Sequence, residues 1–429
     1  MGYHNREFLI NRSDKGEMPD ERGMAARTTT ESRAVERGFR LLYLGPFISY
    51  GDRFAIAPLL VSISRDLERP LGAVTGVASV YFLLYGLIQP VFGVLSDRVG
   101  RVRVMRLALL GLGLGNLAAA AAPSLGVLIV AKGAAGAFAG GILPTSLVYV
   151  GDKVAFGRRQ HVIANVLSAG AVGTVLASVG AGLLGRFSTW RLVFVIPAVL
   201  ALGLALLLSR LPESLGEERG AGPLTQVRRV ARHPWALFLF ALATAEGAVV
   251  LGFLTFLAPA LEARGQSSAV AGSVVAAYGV AVFAAMQLVK RLVARTSASP
   301  PRLIAVGGAL LLLAYLAVAV DQAVPNVLLA SVLIGTAFAF LHSTLQTWAT
   351  EVAPEARGTA ISFFVTGVFT GAALGTAAVR GLADDERYRT LFLVAAALTV
   401  PVAAVAALAR ARFARPGRAH PPARADRTT

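Results

Sequence analysis

The chain has no cysteine in 429 residues, which excludes disulfides and any thiolate metal centre. Charge is also scarce. Asp, Glu, Lys and Arg make up only 15% of the residues, too few to coat a soluble domain of this length. Acidic residues are the scarcer sign, 24 against 41 Lys and Arg. Of five histidines, only His342 lies well inside an apolar stretch. No Gly-x-x-x-x-Gly-Lys-Ser/Thr loop occurs, so no ATP-driven pump subunit is read. No His-Glu-x-x-His or Gly-x-Ser-x-Gly occurs either, so no familiar hydrolase site is present and the chain is not expected to be an enzyme. No metal site and no cofactor are expected. Residues 1–38 are polar and charged, with no apolar core beside a small-residue cleavage site; they read as a disordered tail and not as a signal peptide.

What the chain has in abundance is apolar sequence, 55% of its residues, with a mean hydropathy of +0.65. A membrane-crossing helix takes about 20 such residues. Twelve stretches qualify: 39–64, 74–96, 104–122, 125–150, 161–185, 191–209, 235–258, 268–289, 303–320, 325–349, 359–383 and 389–409. The net charge of +17 raises nucleic acid as a partner, but its distribution argues against one. With the N-terminus inside, 31 of the 41 Lys and Arg fall on the cytoplasmic side and eight on the outer loops, leaving Arg53 and Lys132 within spans. That bias predicts a multi-pass protein of the cell membrane with both termini cytoplasmic.

The sequence also repeats itself. Asp52 stands 15 residues before Leu67, and Glu246 stands 15 before Leu261. Tyr85-Gly86 answers Tyr278-Gly279 at an offset of 193. Gly136, Asp152 and Arg158 answer Gly335, Glu351 and Arg357 at 199, and Trp190-Arg191-x-x-Phe194 answers Tyr388-Arg389-x-x-Phe392 at 198. In order and at corresponding spans, these matches indicate duplication of a six-helix unit. The organisation expected is a tail (1–38), a six-helix bundle (39–209), a charged cytoplasmic linker (210–234), a second bundle (235–410) and a basic cytoplasmic tail (411–429). The fold class is an all-α membrane protein of twelve transmembrane helices in two pseudo-symmetric bundles. Transporters built from such repeats hold substrate near the bilayer midplane between the halves. One chain carries both halves, so a monomer suffices.

The loop after the second span reads GVLSDRVGRVRVMR, from Gly93 to Arg106. Its glycines, Asp-Arg pair and arginine cluster resemble the loop between helices 2 and 3 of the major facilitator superfamily. Gly93, Leu95, Asp97, Arg98, Gly100 and Arg101 fill that pattern; Val102 stands where a basic residue is usual, and Arg103 follows. Leu211-Pro212-Glu213-Ser214 resembles the ending of helix 6 in the same family. The resemblance runs over about residues 39 to 410. It implies a gating loop in which Asp97 meets the N-terminus of helix 11, near Gly358–Ile361, in the outward-open state. There the helix dipole favours an anion. Arg98 and Arg101 would pair with Asp152 at the end of span 4. A plain basic anchor is the alternative, but it has no use for an aspartate. In the second half the motif is lost, with Lys290-Arg291 at the matching place. The proline-containing helix-5 pattern of antiporters is also missing, since that place reads Ala177 to Gly182 without proline.

Ionisable residues inside spans cost about 2.5–3.5 kcal/mol each at a helix centre and are kept mainly where they are used. Asp52 lies about 16 Å into span 1 at the helical rise. It is the candidate proton carrier, with a fixed Asp52–Lys132 pair as the structural alternative. Arg53, on the next residue, points about 100° away from it. Lys132 lies in LIVAKGAAGAFAGG, which resembles the helix-4 pattern of proton antiporters with lysine in place of arginine. It either responds to the state of Asp52 or snorkels to the outer interface. Glu246 is the second carboxylate, a candidate for a cationic substrate or a second proton, or else a neutral acid bonded to a neighbouring helix. His342 is a candidate for proton handling or an interhelical hydrogen bond. Arg53, Tyr81, Tyr85, Gln89, Asn116, Tyr278, Gln287 and Gln346 are the polar candidates for the substrate cavity. Glycines at 367, 371 and 375, and at 136 and 140, mark faces of close helix approach.

These residues point to a secondary transporter that exports small organic compounds in exchange for protons. Proton-coupled uptake of a small metabolite is the alternative, and a non-transporting membrane sensor a remote one.

Overall fold

In a bilayer every backbone N–H and C=O must find a partner inside its own segment, so apolar stretches become helices. The computed structural model describes residues 41–187, 189–215, 223–296 and 298–413. The predicted N-tail, part of the linker and nearly all of the C-tail lie outside the described residues. Ten helices are long and apolar enough to cross a membrane, and a bent pair makes an eleventh span. The remaining predicted span is α1, helical over 41–54, then broken and continued by a tight turn at Ala57–Leu59 and a helix at Leu60–Asp66. Pro58 sits in that turn, and a proline inside a helix removes one ladder hydrogen bond. The bent pair is α2, Leu71–Leu87 and Gln89–Val99, which meet at 43° beside Pro90.

The other spans are α3 (Arg101–Ala120), α4 (Leu125–Lys153), α5 (Gly157–Phe187), α6 (Trp190–Arg210), α7 (Pro234–Ala263), α8 (Ser268–Thr296), α9 (Pro300–Val320), α10 (Val324–Val352), α11 (Arg357–Ala378) and α12 (Tyr388–Phe413). Large apolar side chains point outward, among them Val130, Leu114 and Val199. The chain is a multi-pass membrane protein.

Packing repeats between the halves. α2 packs on α4, α3 on α4 and α3 on α6; in the second half α8 packs on α10, α9 on α10 and α9 on α12. The halves meet along α5 with α8 and α2 with α11. This pairwise correspondence matches the offsets near 195 in the sequence.

Close contact needs glycine at particular places. On α11, a Cβ added at Gly375 would lie 2.9 Å from the Cα of Ala248, and one at Gly371 would run into the carbonyl of Thr244. The Gly367/Gly371/Gly375 face is therefore the seat of α7. Directly after Glu246, α7 departs from the α-helical ladder into a π turn at Ala248–Gly252. The Tyr315 hydroxyl of α9 donates to the Val249 carbonyl within it. Such single π turns are rare and interrupt otherwise regular helices.

The two ends of the bundle differ. Away from residues 98–103, which turn at Gly100 between α2 and α3 and are called the 98–103 loop, the halves are latched. The backbone N–H of Gly72 donates to Asp384 Oδ1 at 2.5 Å, and Ser268 Oγ donates to the Gly182 carbonyl at 3.0 Å. At the loop end a Cβ added at Gly93 or Gly358 would meet nothing within 4 Å. The short helix Pro223–Ala231 docks beside the start of α11, through Arg229 to Glu355 at 2.5 Å and Thr359 to Gln226 at 3.2 Å.

Gly371→Val should force α7 and α11 apart and cost about 1–3 kcal/mol, as overpacking does. Gly203→Ala on α6, where an added Cβ meets nothing, should leave stability equal or slightly higher. Thermal unfolding of the two purified variants checks the contrast.

Candidate functional site

The first buried charge cluster joins three helices of the first half. Lys132 Nζ on α4 donates to Asp52 Oδ1 of α1 at 2.7 Å and to Asn116 Oδ1 of α3 at 2.9 Å. The Asn116 amide nitrogen donates to the Leu112 carbonyl at 3.1 Å, which turns its oxygen toward the lysine. Exposure is 1% for Asp52 and 0% for both Asn116 and Lys132. The rings of Phe194 and Tyr81 flank the ammonium at 4.5 and 5.1 Å. Lys132 therefore turns into the bundle, and snorkelling does not describe it. Asn116, expected in the substrate cavity, accepts a hydrogen bond from the lysine. Asp52 Oδ2 has no hydrogen-bond partner. Asp52 also lines an apolar crevice with Ala177 of α5 and Ile196, Pro197 and Leu200 of α6.

The second cluster lies in the other half. Glu246 Oε1 of α7 and His342 Nδ1 of α10 are 2.9 Å apart. Glu246 is 1% exposed, and its Oε2 has no partner. Phe338 stacks on the His342 ring at 4.2 Å, and Phe364 leans on it at 5.4 Å. Glu246 thus takes the interhelical contact that its burial demands.

Arg53 has no carboxylate partner; the Tyr50 hydroxyl meets its guanidinium, and its Nε has no hydrogen-bond partner. Its guanidinium carbon lies 4.3 Å from the ring centre of Tyr50, 4.9 Å from Phe54, 5.2 Å from Phe369 and 5.4 Å from Tyr85. Those rings come from α1, α2 and α11, so Arg53 sits where the halves meet. Phe54 stacks on Tyr278 at 5.5 Å, and Tyr278 meets Phe338 edge-on at 6.3 Å. A run of rings therefore connects the surroundings of Arg53 to those of His342. Tyr81 and Tyr85 stack at 6.1 Å, and Gln89 is buried one turn below Tyr85. Gln287 is exposed and Gln346 half-buried, and among the described residues no hydrogen bond joins either to these groups.

The 98–103 loop is held from inside its own half. Arg101, buried to 4%, contacts Asp97 at 2.5 Å, Ser96 Oγ at 3.0 Å and Asp152 Oδ2 at 3.3 Å. Ser214 Oγ donates to the same Asp152 oxygen at 2.9 Å, and the Arg101 N–H donates to the Ser214 carbonyl at 2.9 Å. The Glu213 carboxylate accepts the N–H groups of Val102 at 2.8 Å and Arg103 at 3.1 Å, capping α3 where its dipole favours an anion. Gly100 makes this possible. Its φ is 110°, and a Cβ there would lie 2.6 Å from the Glu213 carboxyl carbon. Arg101 pairs with Asp152 as expected; Arg98 forms no ion pair among the described residues. Asp97 does not meet the start of α11 in this conformation.

Sequence reasoning missed Tyr50, Phe54, Phe338 and Phe369, which lie in apolar runs and give no local signal of contact with a charge. It quoted Glu213 and Ser214 without their role. Acidic and hydroxyl residues just after span 6, opposite a basic loop, were the available signal.

Removing one member of a buried ion pair strands the other, at about 3–5 kcal/mol. Lys132→Met alone should therefore lower the thermal midpoint by several degrees, and adding Asp52→Asn should restore most of the loss. Gly100→Ala should cost about 1–3 kcal/mol through forced backbone strain and displacement of Glu213. Unfolding curves of the purified proteins in detergent check both.

Comparison with known proteins supplies the family. The chain is 28% identical over 326 residues to a chloramphenicol resistance protein of Streptomyces lividans, covering 74% of this chain and 82% of that one. It is 30% identical over 180 residues to a triacylglyceride transporter of Mycolicibacterium hassiacum, covering 41% of this chain and only 33% of that protein's length. Among solved structures, a mutant form of the nucleoside transporter NupG superposes with a TM-score of 0.75 at 15% identity, covering 88% of this chain and 100% of that one. Residues 42–376 match the model of the Major Facilitator Superfamily, and the chain belongs to that family.

Proposed function

We propose that the chain exports small organic compounds across the cell membrane in exchange for protons, acting as a monomer with both termini and the 98–103 loop on the cytoplasmic face. The observation that carries this reading is the Asp52–Lys132–Asn116 contact, fully buried in the first half. Protonating Asp52 removes the charge that balances Lys132. The ammonium then stands in a low-dielectric site with only Asn116 and two rings, a costly arrangement. Loading and releasing one proton thus biases how α1, α3 and α4 pack. That is the kind of differential stability that shifts a population between two conformations.

On this reading the latch at Gly72–Asp384 belongs to one conformation of an alternating-access cycle. In the other, Asp97 would leave Arg101 and engage the start of α11, closing the loop end. Export as the direction rests on likeness to the chloramphenicol resistance protein.

Inverted membrane vesicles with an imposed pH gradient test this. Cationic, neutral and anionic amphipathic compounds are added, and gradient collapse is followed with a pH-sensitive dye. The wild type should show compound-dependent collapse, and Asp52→Asn should fall to background while still inserting. Asp97→Asn should slow turnover several-fold with little change in binding. No collapse with any compound overturns export by proton exchange, and right-side-out vesicles with nutrients then test uptake.

A further inference from the structure

Five ionisable side chains lie in the buried middle of the bundle: Asp52, Arg53, Lys132, Glu246 and His342. Four are used in two contacts, Asp52 with Lys132 and Glu246 with His342. Arg53 is left without a carboxylate, and its buried Nε has no hydrogen-bond partner. Of the four surrounding rings only Tyr50 brings an oxygen to the guanidinium, and the Nε deficit remains. Rings attract a guanidinium through its charge and flat faces. The N–H groups lie in the plane and need acceptors at the edge.

The space beside Arg53 is apolar. Phe54, Phe82, Leu251, Leu254 and Thr255 line it from both halves, and the Thr255 hydroxyl is already donated to the Leu251 carbonyl. A ligand there meets one fixed cation and otherwise hydrocarbon and rings. A cationic ligand would face Arg53 directly, and the carboxylate able to attract it is held by His342. A planar oxyanion meets the opposite conditions: a guanidinium edge accepts a carboxylate through two parallel hydrogen bonds.

We propose that Arg53 is the anion-binding centre of the cavity and that the substrate class is an aromatic organic anion, its carboxylate on the Arg53 edge and its ring against Phe54 and Phe82. The assignment rests on the reading above that the chain is a transporter of small organic compounds. It departs from the expectation that Glu246 recognises a cation.

Equilibrium binding to the purified full-length protein tests it without any proton gradient. The probes are 2-naphthoate, 2-naphthylmethylammonium and 2-naphthylmethanol, measured by calorimetry. The carboxylate should bind at least about tenfold more tightly than either of the others. Arg53→Gln should abolish that preference. Arg53→Lys, which keeps the charge but not the fork, should retain a preference several-fold weaker, and it covers the case in which Arg53→Gln fails to fold. Equal or tighter binding of the ammonium, binding of naphthoate that Arg53→Gln leaves unchanged, or binding of none of the probes overturns the assignment. A carboxylate preference without gradient collapse in vesicles sinks proton-coupled export and leaves this site standing. The converse result does the reverse.

Discussion

The ion pair between Asp52 and Lys132 is the constraint around which the first half is arranged. Neither partner reaches water, so each depends on the other. The pair fixes α1 against α4, and through Asn116 it fixes α3 as well. It also leaves one carboxylate oxygen, Asp52 Oδ2, without a hydrogen-bond partner in the protein. On the proposed reading, protonating Asp52 would weaken this cluster. No second fully buried carboxylate–ammonium pair occurs among the described residues, so the loop, the latch and the aromatic run are best understood in relation to it.

Motion requires that the rest of the bundle tolerate the change. Within each half the contacts are extensive, and glycines let α7 and α11 touch backbone to backbone. Between halves, the polar contacts described are single hydrogen bonds: Gly72 to Asp384, Ser268 to Gly182, and Thr366 to the Gly86 carbonyl. Single neutral or charge-assisted bonds are worth only about 0.5–3 kcal/mol net. They can be exchanged for others of similar strength at the loop end. The Arg101–Asp97–Asp152 cluster, with its Glu213 cap, lies wholly on the first half, so it can move as one body.

Hydropathy alone located the spans, because the bilayer leaves helices as the only choice for an apolar segment. The loop was legible because its Asp lies among arginines and its glycines lie at fixed places. The offsets near 195 were legible as a duplication, and the packing follows them. What the sequence withheld depends on contacts far apart along the chain. Glu246 and His342 are separated by 96 residues, and nothing local joins them. The depth of Lys132 was ambiguous because a lysine two turns inside a span can reach either way along its helix. Its direction is decided by Asp52 and Asn116. The rings about Arg53 come from three helices, and a phenylalanine in an apolar run looks the same whether it faces lipid or a guanidinium. The partner of Asp97 is Arg101, four residues on, where the family resemblance pointed to the start of α11.

The duplication also shows where the halves have parted. Each keeps a carboxylate on its first helix, Asp52 and Glu246, and a basic partner on its fourth. The partners are not equivalent positions. At the offset of 199 that relates Gly136 to Gly335, Lys132 corresponds to Ser331, a fully buried residue whose hydroxyl has no partner. His342 lies 11 residues further on, about 16 Å along α10. The second half has therefore moved its base toward the other end of the helix and replaced an ammonium with an imidazole, which exchanges protons far more readily near neutrality. The same carboxylate in two halves thus answers to two different bases at two different depths. On the proposed reading the two halves need not behave alike, because their carboxylates face different bases.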